Sequence, residues 1–142
     1  MAVFLDSGFF VALLNKRDVH YEDSLKISRK LAEKSLGRRV TTDYILDEVI
    51  TTLWYKVNRK DIVVSAYKLI HDEQVFVKLE YVTSGIFELA WKKWNALVNL
   101  SARPLSFTDC SVLAFMEVHD VDNLISFDKG FKGLVKGQLV QN

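Results

Sequence analysis

Residues 3–9 read VFLDSGF and residues 124–131 read LISFDKGF. Each is an apolar, strand-like run that ends on an aspartate, Asp6 in the first and Asp128 in the second. The segments between them alternate in character. Residues 2–6 form a strand, and SGFFVALLN after them has helical apolar spacing. Residues 20–35 make an amphipathic helix stopped by Gly37, and residues 39–42 a second strand. From Asp43, a good N-cap, Ile45, Leu46, Val49, Ile50, Leu53 and Trp54 repeat at helical period. Residues 60–72 give a further helix, and residues 75–82 (VFVKLEYV) a third strand. Thr83 caps a helix carrying Ile86, Phe87, Ala90, Trp91 and Trp94. The sole proline, Pro104, marks a loop before a helix at residues 108–118, a strand at 123–127 and a short edge strand at 138–140. Strands alternating with helices predict an α/β fold with a mainly parallel central sheet of four to five strands.

The chain of 142 residues is one domain, residues 1–142, with no repeat or linker. Its 49% hydrophobic content is globular, and a net charge of +1 argues against broad nonspecific nucleic-acid binding. The single cysteine, Cys110, lies in the apolar run CSVLAFM and reads as a small buried hydrophobe. His20, His71 and His119 are scattered, and neither CxxC nor HExxH occurs, which disfavours zinc. No apolar stretch approaches the ~20 residues of a membrane span. The expected location is cytoplasmic.

In a parallel α/β sheet, strand C-terminal ends and helix N-terminal ends share one edge, where ligands bind. Asp6 and Asp128 end strands there, Asp109 opens a helix, and the helix from Asp43 carries Asp47 and Glu48 in its second turn. Each has a plainer reading. Strand-end aspartates often serve turns, and Ser106 to Asp109 has the spacing of a capping box. Against that, Asp109 shares a helical face with Val112, Leu113 and Met116, and a carboxylate on an apolar face needs a partner or a metal. Periodicity does not choose between Asp47 and Glu48. Clustered carboxylates repel unless cations lie among them, and oxygen-only ligands suit Mg²⁺ or Mn²⁺. A pair of such ions is the arrangement used for in-line attack of water on a phosphodiester.

Taken in order, VFLDSGFFVALL (3–14), VTTDYILDEVITTL (40–53) and LSFTDCSVLAFMEVHDVDNLISFDKGF (105–131) resemble the PIN domain, the nuclease fold of VapC toxins in toxin–antitoxin pairs. The resemblance implies a three-layer α/β/α sandwich and Mg²⁺- or Mn²⁺-dependent endoribonuclease activity. It also implies RNA as substrate, an antitoxin protein as partner and a homodimer. It places Asp6, Glu48, Asp109 and Asp128 in the catalytic and metal site, and it selects Glu48 because Thr41 to Glu48 fills the family's T-x-x-x-x-x-x-E. Ser7, Thr41, Ser106 and Ser126 match small hydroxyl positions that support the carboxylates; at Ser126 the family more often has threonine.

Lys129 and Lys132, then Lys136, follow Asp128 and are the candidate phosphate contacts, beside Gly130 and Gly133. Arg38 and Arg39 precede the second strand, on the edge away from the site. Trp54, Trp91 and Trp94 are expected in the core or at an interface. A phosphoacceptor domain of the receiver type is excluded, since Asp6 is followed by Ser7 rather than a second acid and VFVKLEYV ends without a carboxylate. The remaining alternative is a PIN-like RNA-processing or RNA-binding module outside a toxin–antitoxin pair.

Overall fold

Val3, Phe4 and Leu5 of strand β1 (Ala2–Leu5) are completely buried, so this strand is covered on both faces, as central strands of parallel sheets are. The structure, a computed structural model, describes residues 1–33, 36–100 and 104–139. β1 pairs in parallel with β2 (Arg38–Thr42) on one side and β4 (Asn123–Ile125) on the other. β3 (Lys78–Glu80) lies outside β2, and β5 (Gly137–Leu139) outside β4. The order is therefore β3-β2-β1-β4-β5, five strands, all parallel.

Helices α1 (Ser7–Leu14) and α2 (Tyr21–Ala32) connect β1 to β2. Helices α3 (Asp43–Val57) and α4 (Lys60–Tyr67), the latter continued by a π-helical stretch at Lys68–Glu73, connect β2 to β3. Helices α5 (Ser84–Leu97) and α6 (Phe107–Val118) lead back to β4. Right-handed crossovers put α1 to α4 on one face of the sheet and α5 and α6 on the other. The packing agrees: α1 lies against α2 and α3, α3 against α4, and α5 against α6. The result is the expected three-layer α/β/α sandwich, with a core that includes an edge-to-face contact between Phe4 and Phe115 at 5.4 Å.

Several boundaries shift for local reasons. Thr42, not Asp43, caps α3, its hydroxyl accepting from Ile45 N–H at 3.4 Å. Asp43 Oδ1 instead accepts from Val82 N–H at 2.7 Å and ties α3 to the end of the third-strand segment. Only Lys78–Glu80 of residues 75–82 is strand. β4 stops at Ile125, so Asp128 is not a strand end; it caps a short 3₁₀ turn at Lys129–Phe131. The second helix ends at Ala32, short of Gly37, whose positive φ of 80° brings the chain close to Met1. The expected helix end at Ser35, the start of the loop before Pro104 and the strand residue Val140 lie outside the described residues.

Cys110 is fully buried as expected. Of the tryptophans, Trp54 is 48% and Trp91 55% exposed, outside the core, whereas Trp94 is half-buried against the core with its ring stacked on Trp91 at 5.5 Å. No helix among the described residues is long and apolar enough to cross a membrane.

Candidate active site

The end of β1 passes straight into α1, and Asp6 occupies the junction as the α1 N-cap. Its backbone N–H donates to Ile125 O at 3.0 Å, which fixes it to β4. Its Oδ1 accepts from Ser7 N–H at 2.8 Å, and its Oδ2 accepts from Ser126 Oγ at 2.7 Å. The side chain is thus held rigidly while almost completely buried. Burial pushes its carboxyl up to about 6 from 3.8; the two hydrogen bonds oppose the rise, and the negative charges of Asp109 and Glu48 add to it.

Those charges identify the neighbours of Asp6. Asp109 lies in the first turn of α6, where the capping box is real: Ser106 Oγ accepts from Asp109 N–H at 3.0 Å, and Asp109 Oδ2 accepts from Ser106 N–H at 3.0 Å. The cap does not exhaust Asp109, because the residue is also buried on the same helix as Val112, Leu113 and Met116. Glu48 is half-buried in α3, whereas Asp47 beside it is exposed. Asp128 reaches the group through one hydroxyl: Ser126 Oγ donates to Asp6 and accepts from Asp128 N–H at 3.0 Å. Its own Oδ1 accepts from Gly130 N–H at 2.8 Å.

The hydroxyl residues differ in what they do. Ser126 is the hub between Asp6 and Asp128. Thr41 Oγ1 donates to Leu5 O at 2.9 Å, locking β2 to β1 immediately before Asp6. Ser106 orients Asp109, and Ser7 acts through its backbone N–H. Replacing Ser126 with Ala leaves a buried carboxylate oxygen without its donor, so folding stability should fall by about 1–3 kcal/mol. Ser126→Thr, which keeps the hydroxyl, should restore it. Urea denaturation of the two variants checks this, and an unchanged midpoint for Ser126→Ala would show that the hub carries no stability.

Oxygen-only donors around a carboxyl raised chiefly by burial, with two further negative charges beside it, suit a hard divalent cation. Among the described residues, no three His, Cys, Asp or Glu side chains form a ready-made cage for one ion. That geometry is compatible with Mg²⁺, which keeps several waters and takes one or two carboxylates together with substrate phosphate.

Lys129 and Lys132 are exposed just beyond Asp128. Lys136 instead faces Asp122 at 3.6 Å. Arg38 is exposed, and the Arg39 guanidinium donates to Leu31 O at 2.7 Å and to Phe76 O, which makes it structural. One residue at the site was not anticipated. His20 caps α2 and stacks on Phe127, between Ser126 and Asp128, at 4.2 Å and 5°. No sequence signal links two rings so far apart in the chain.

A 56-residue stretch, 39% of this chain, is 41% identical to a VapC ribonuclease of Archaeoglobus fulgidus and spans 36% of that protein's length. The Mycobacterium tuberculosis VapC20 structure, a sarcin–ricin loop cleaving toxin, is 26% identical; the match covers 94% of this chain and 97% of that one with a TM-score of 0.78. VapBC2 of Rickettsia felis, bound to a promoter DNA fragment, shares the fold at 11% identity and a TM-score of 0.67, covering 100% of this chain and 98% of that one. VapBC-1 of nontypeable Haemophilus influenzae does so at 18% and 0.68, covering 99% and 98%. The sequence profile of the PIN domain matches residues 3–136, nearly the whole length, and the chain belongs to the PIN domain family.

Proposed function

We propose that this protein is a Mg²⁺- or Mn²⁺-dependent endoribonuclease, the toxin of a VapBC-type toxin–antitoxin pair. The observation that carries the reading is the almost completely buried Asp6 carboxylate, held by Ser7 N–H and Ser126 Oγ with the charges of Asp109 and Glu48 beside it. Such a site favours a cation, and the likeness to VapC20, a sarcin–ricin loop cleaving toxin, supports an RNA phosphodiester as substrate. Asp6, Glu48, Asp109 and Asp128 would hold the cation. When bound, it supplies positive charge at the scissile phosphate and acidifies water for the attack.

The chain's own groups orient and exclude. Ser7 N–H and Ser126 Oγ fix the Asp6 carboxylate, and Ser106 N–H fixes that of Asp109, so both are held in position before substrate arrives. Lys129 and Lys132 offset the repulsion that an acidic rim exerts on a phosphate chain. No protein nucleophile is required.

RNA cleavage by the purified protein, freed of any partner, is the test. EDTA should abolish cleavage, and Mn²⁺ should restore it better than Ca²⁺. Cleavage that persists in EDTA overturns metal dependence. The fold shared with VapBC assemblies supports an antitoxin as partner. The half-exposed Trp54, Trp91 and Phe87 support a homodimer, which a monomeric mass in solution at micromolar concentration would overturn.

A further inference from the structure

A cavity of about 600 Å³ opens where the C-terminal ends of α1 and α3 meet the start of α4. Leu14 and Val57 contribute its apolar floor, and Lys16, Arg17, Lys56 and Arg59 its walls. All four cations are exposed. Arg59 pairs with Asp61 at 2.6 Å. Among the described residues, no carboxylate pairs with Lys16, Arg17 or Lys56. The nearby acid Asp18 accepts from His20 N–H. In a chain whose 19 basic and 18 acidic residues nearly cancel, this is a local excess of positive charge.

The plainer account is helix-end chemistry, since cations near a helix C-terminus are stabilised by its dipole. That accounts for Lys56, in the last turn of α3, and for Lys16 just past α1. It does not extend to Arg17, which lies beyond the α1 cap at Asn15, while Arg59, at the start of α4, is offset by Asp61 in the first turn of that helix. Nor does it explain why the four surround a single cavity with an apolar floor.

The cavity is tied to the carboxylate site by two rigid elements. α1 runs its 8 residues from Ser7, next to Asp6, to Leu14, about 12 Å. Along α3, Glu48 and Lys56 are separated by about 12 Å in the same way. A ligand that reaches both places carries phosphates and follows the two helices. A bare acidic rim repels such a ligand, and a cation held there acts only at the scissile phosphate, so contacts to the flanking phosphates have to come from cations outside the rim.

We propose that this cavity is a phosphate-binding subsite for the single-stranded RNA flanking the scissile bond, with Arg17 and Lys56 contacting backbone phosphates. The apolar floor accommodates a base or ribose face. The subsite rests on the ribonuclease reading for the position of the scissile phosphate, but its binding can be measured without cleavage.

The experiment uses full-length protein carrying Asp6→Asn, so that bound RNA is not consumed, with and without Arg17→Ala and Lys56→Ala. Binding of an end-labelled single-stranded oligoribonucleotide is followed by fluorescence anisotropy across a salt series. Loss of two phosphate contacts should weaken binding several-fold and flatten the slope of log K against log salt by about 1.4, or 0.7 per contact. Lys92→Ala, an exposed cation on α5 across the sheet from the cavity, should leave the slope unchanged. In the Asp6-containing protein, Arg17→Ala with Lys56→Ala should raise KM for the oligoribonucleotide and leave cleavage of a dinucleoside monophosphate, too short to reach the cavity, as it was. An unchanged affinity and slope overturns the subsite. So does weakened binding of polyglutamate with RNA binding intact, which would assign the cavity to an acidic peptide. If the Asp6-containing protein cleaves no RNA in Mn²⁺ while the slope change is found, the ribonuclease reading fails and the RNA-binding subsite stands.

Discussion

Asp6→Asn should leave the fold intact and lower the RNA-cleavage rate on the order of a thousandfold, the several kcal/mol that a metal's charge supplies to a phosphodiester transition state. The fold survives because the asparagine retains the contacts that hold the aspartate. Its Oδ1 can still accept from Ser7 N–H. Ser126 Oγ has two acceptor positions, one taken by Asp128 N–H, and the other can receive the new amide Nδ2–H. Activity falls because a neutral amide is a poor ligand for a hard dication. Asp109→Asn should behave alike, its carbonyl still accepting from Ser106 N–H to preserve the cap. Initial cleavage rates in Mn²⁺, with circular dichroism as the folding control, read both halves of the prediction. A folded Asp6→Asn protein with undiminished cleavage would remove Asp6 from the chemistry.

The same contrast between a side chain's surroundings and its sequence pattern explains what could be read in advance. The order of strands and helices was legible because β1 and β4 are short apolar runs and α3, α5 and α6 carry apolar residues at helical period. Asp109 could be suspected because it sits on the apolar face of its helix, and it is buried there. Glu48 could not be told from Asp47 by periodicity. Only the packing of α3 leaves one exposed and the other half-buried.

Residues 75–82 read as a strand throughout, yet only three of them pair with β2. The Arg39 guanidinium takes the carbonyl of Phe76, and Val75 is exposed, so the segment's start is held by a side chain rather than by a strand neighbour. On α5, Ile86 and Ala90 form the buried stripe. Phe87 and Trp91 lie one position round the helix and are half exposed. Large aromatics at helical spacing therefore leave core and surface open, because the period fixes a stripe without saying which stripe faces inward.

The burial that makes Asp6 a candidate ligand should also appear as a pH dependence of folding, with an unusual sign. Its carboxyl titrates near 3.8 in an open chain and at about 6 in the fold. Between those values the folded protein holds a proton that the unfolded chain has released, so this group's contribution to stability falls as pH rises through the window. Above 6 both states are ionised, and the fold carries the full penalty, about 3 kcal/mol for that displacement. Metal binding and protonation compete for the same oxygen atoms, so added Mn²⁺ should relieve the penalty above pH 6 and do little near pH 5. In the presence of EDTA, Asp6→Asn should melt higher than the Asp6 protein at pH 7.5, by about 10 °C for the whole penalty, and the gap should narrow toward pH 5. With saturating Mn²⁺ at pH 7.5 the Asp6 protein should gain in melting temperature while Asp6→Asn gains little. Differential scanning calorimetry at pH 5 and 7.5, with EDTA and with Mn²⁺, distinguishes the contributions. A gap between the two proteins that stays constant with pH would mean that Asp6 titrates no differently in the fold than outside it. A gap that narrows with acid but ignores Mn²⁺ would leave Asp6 buried and strained without a metal to relieve it.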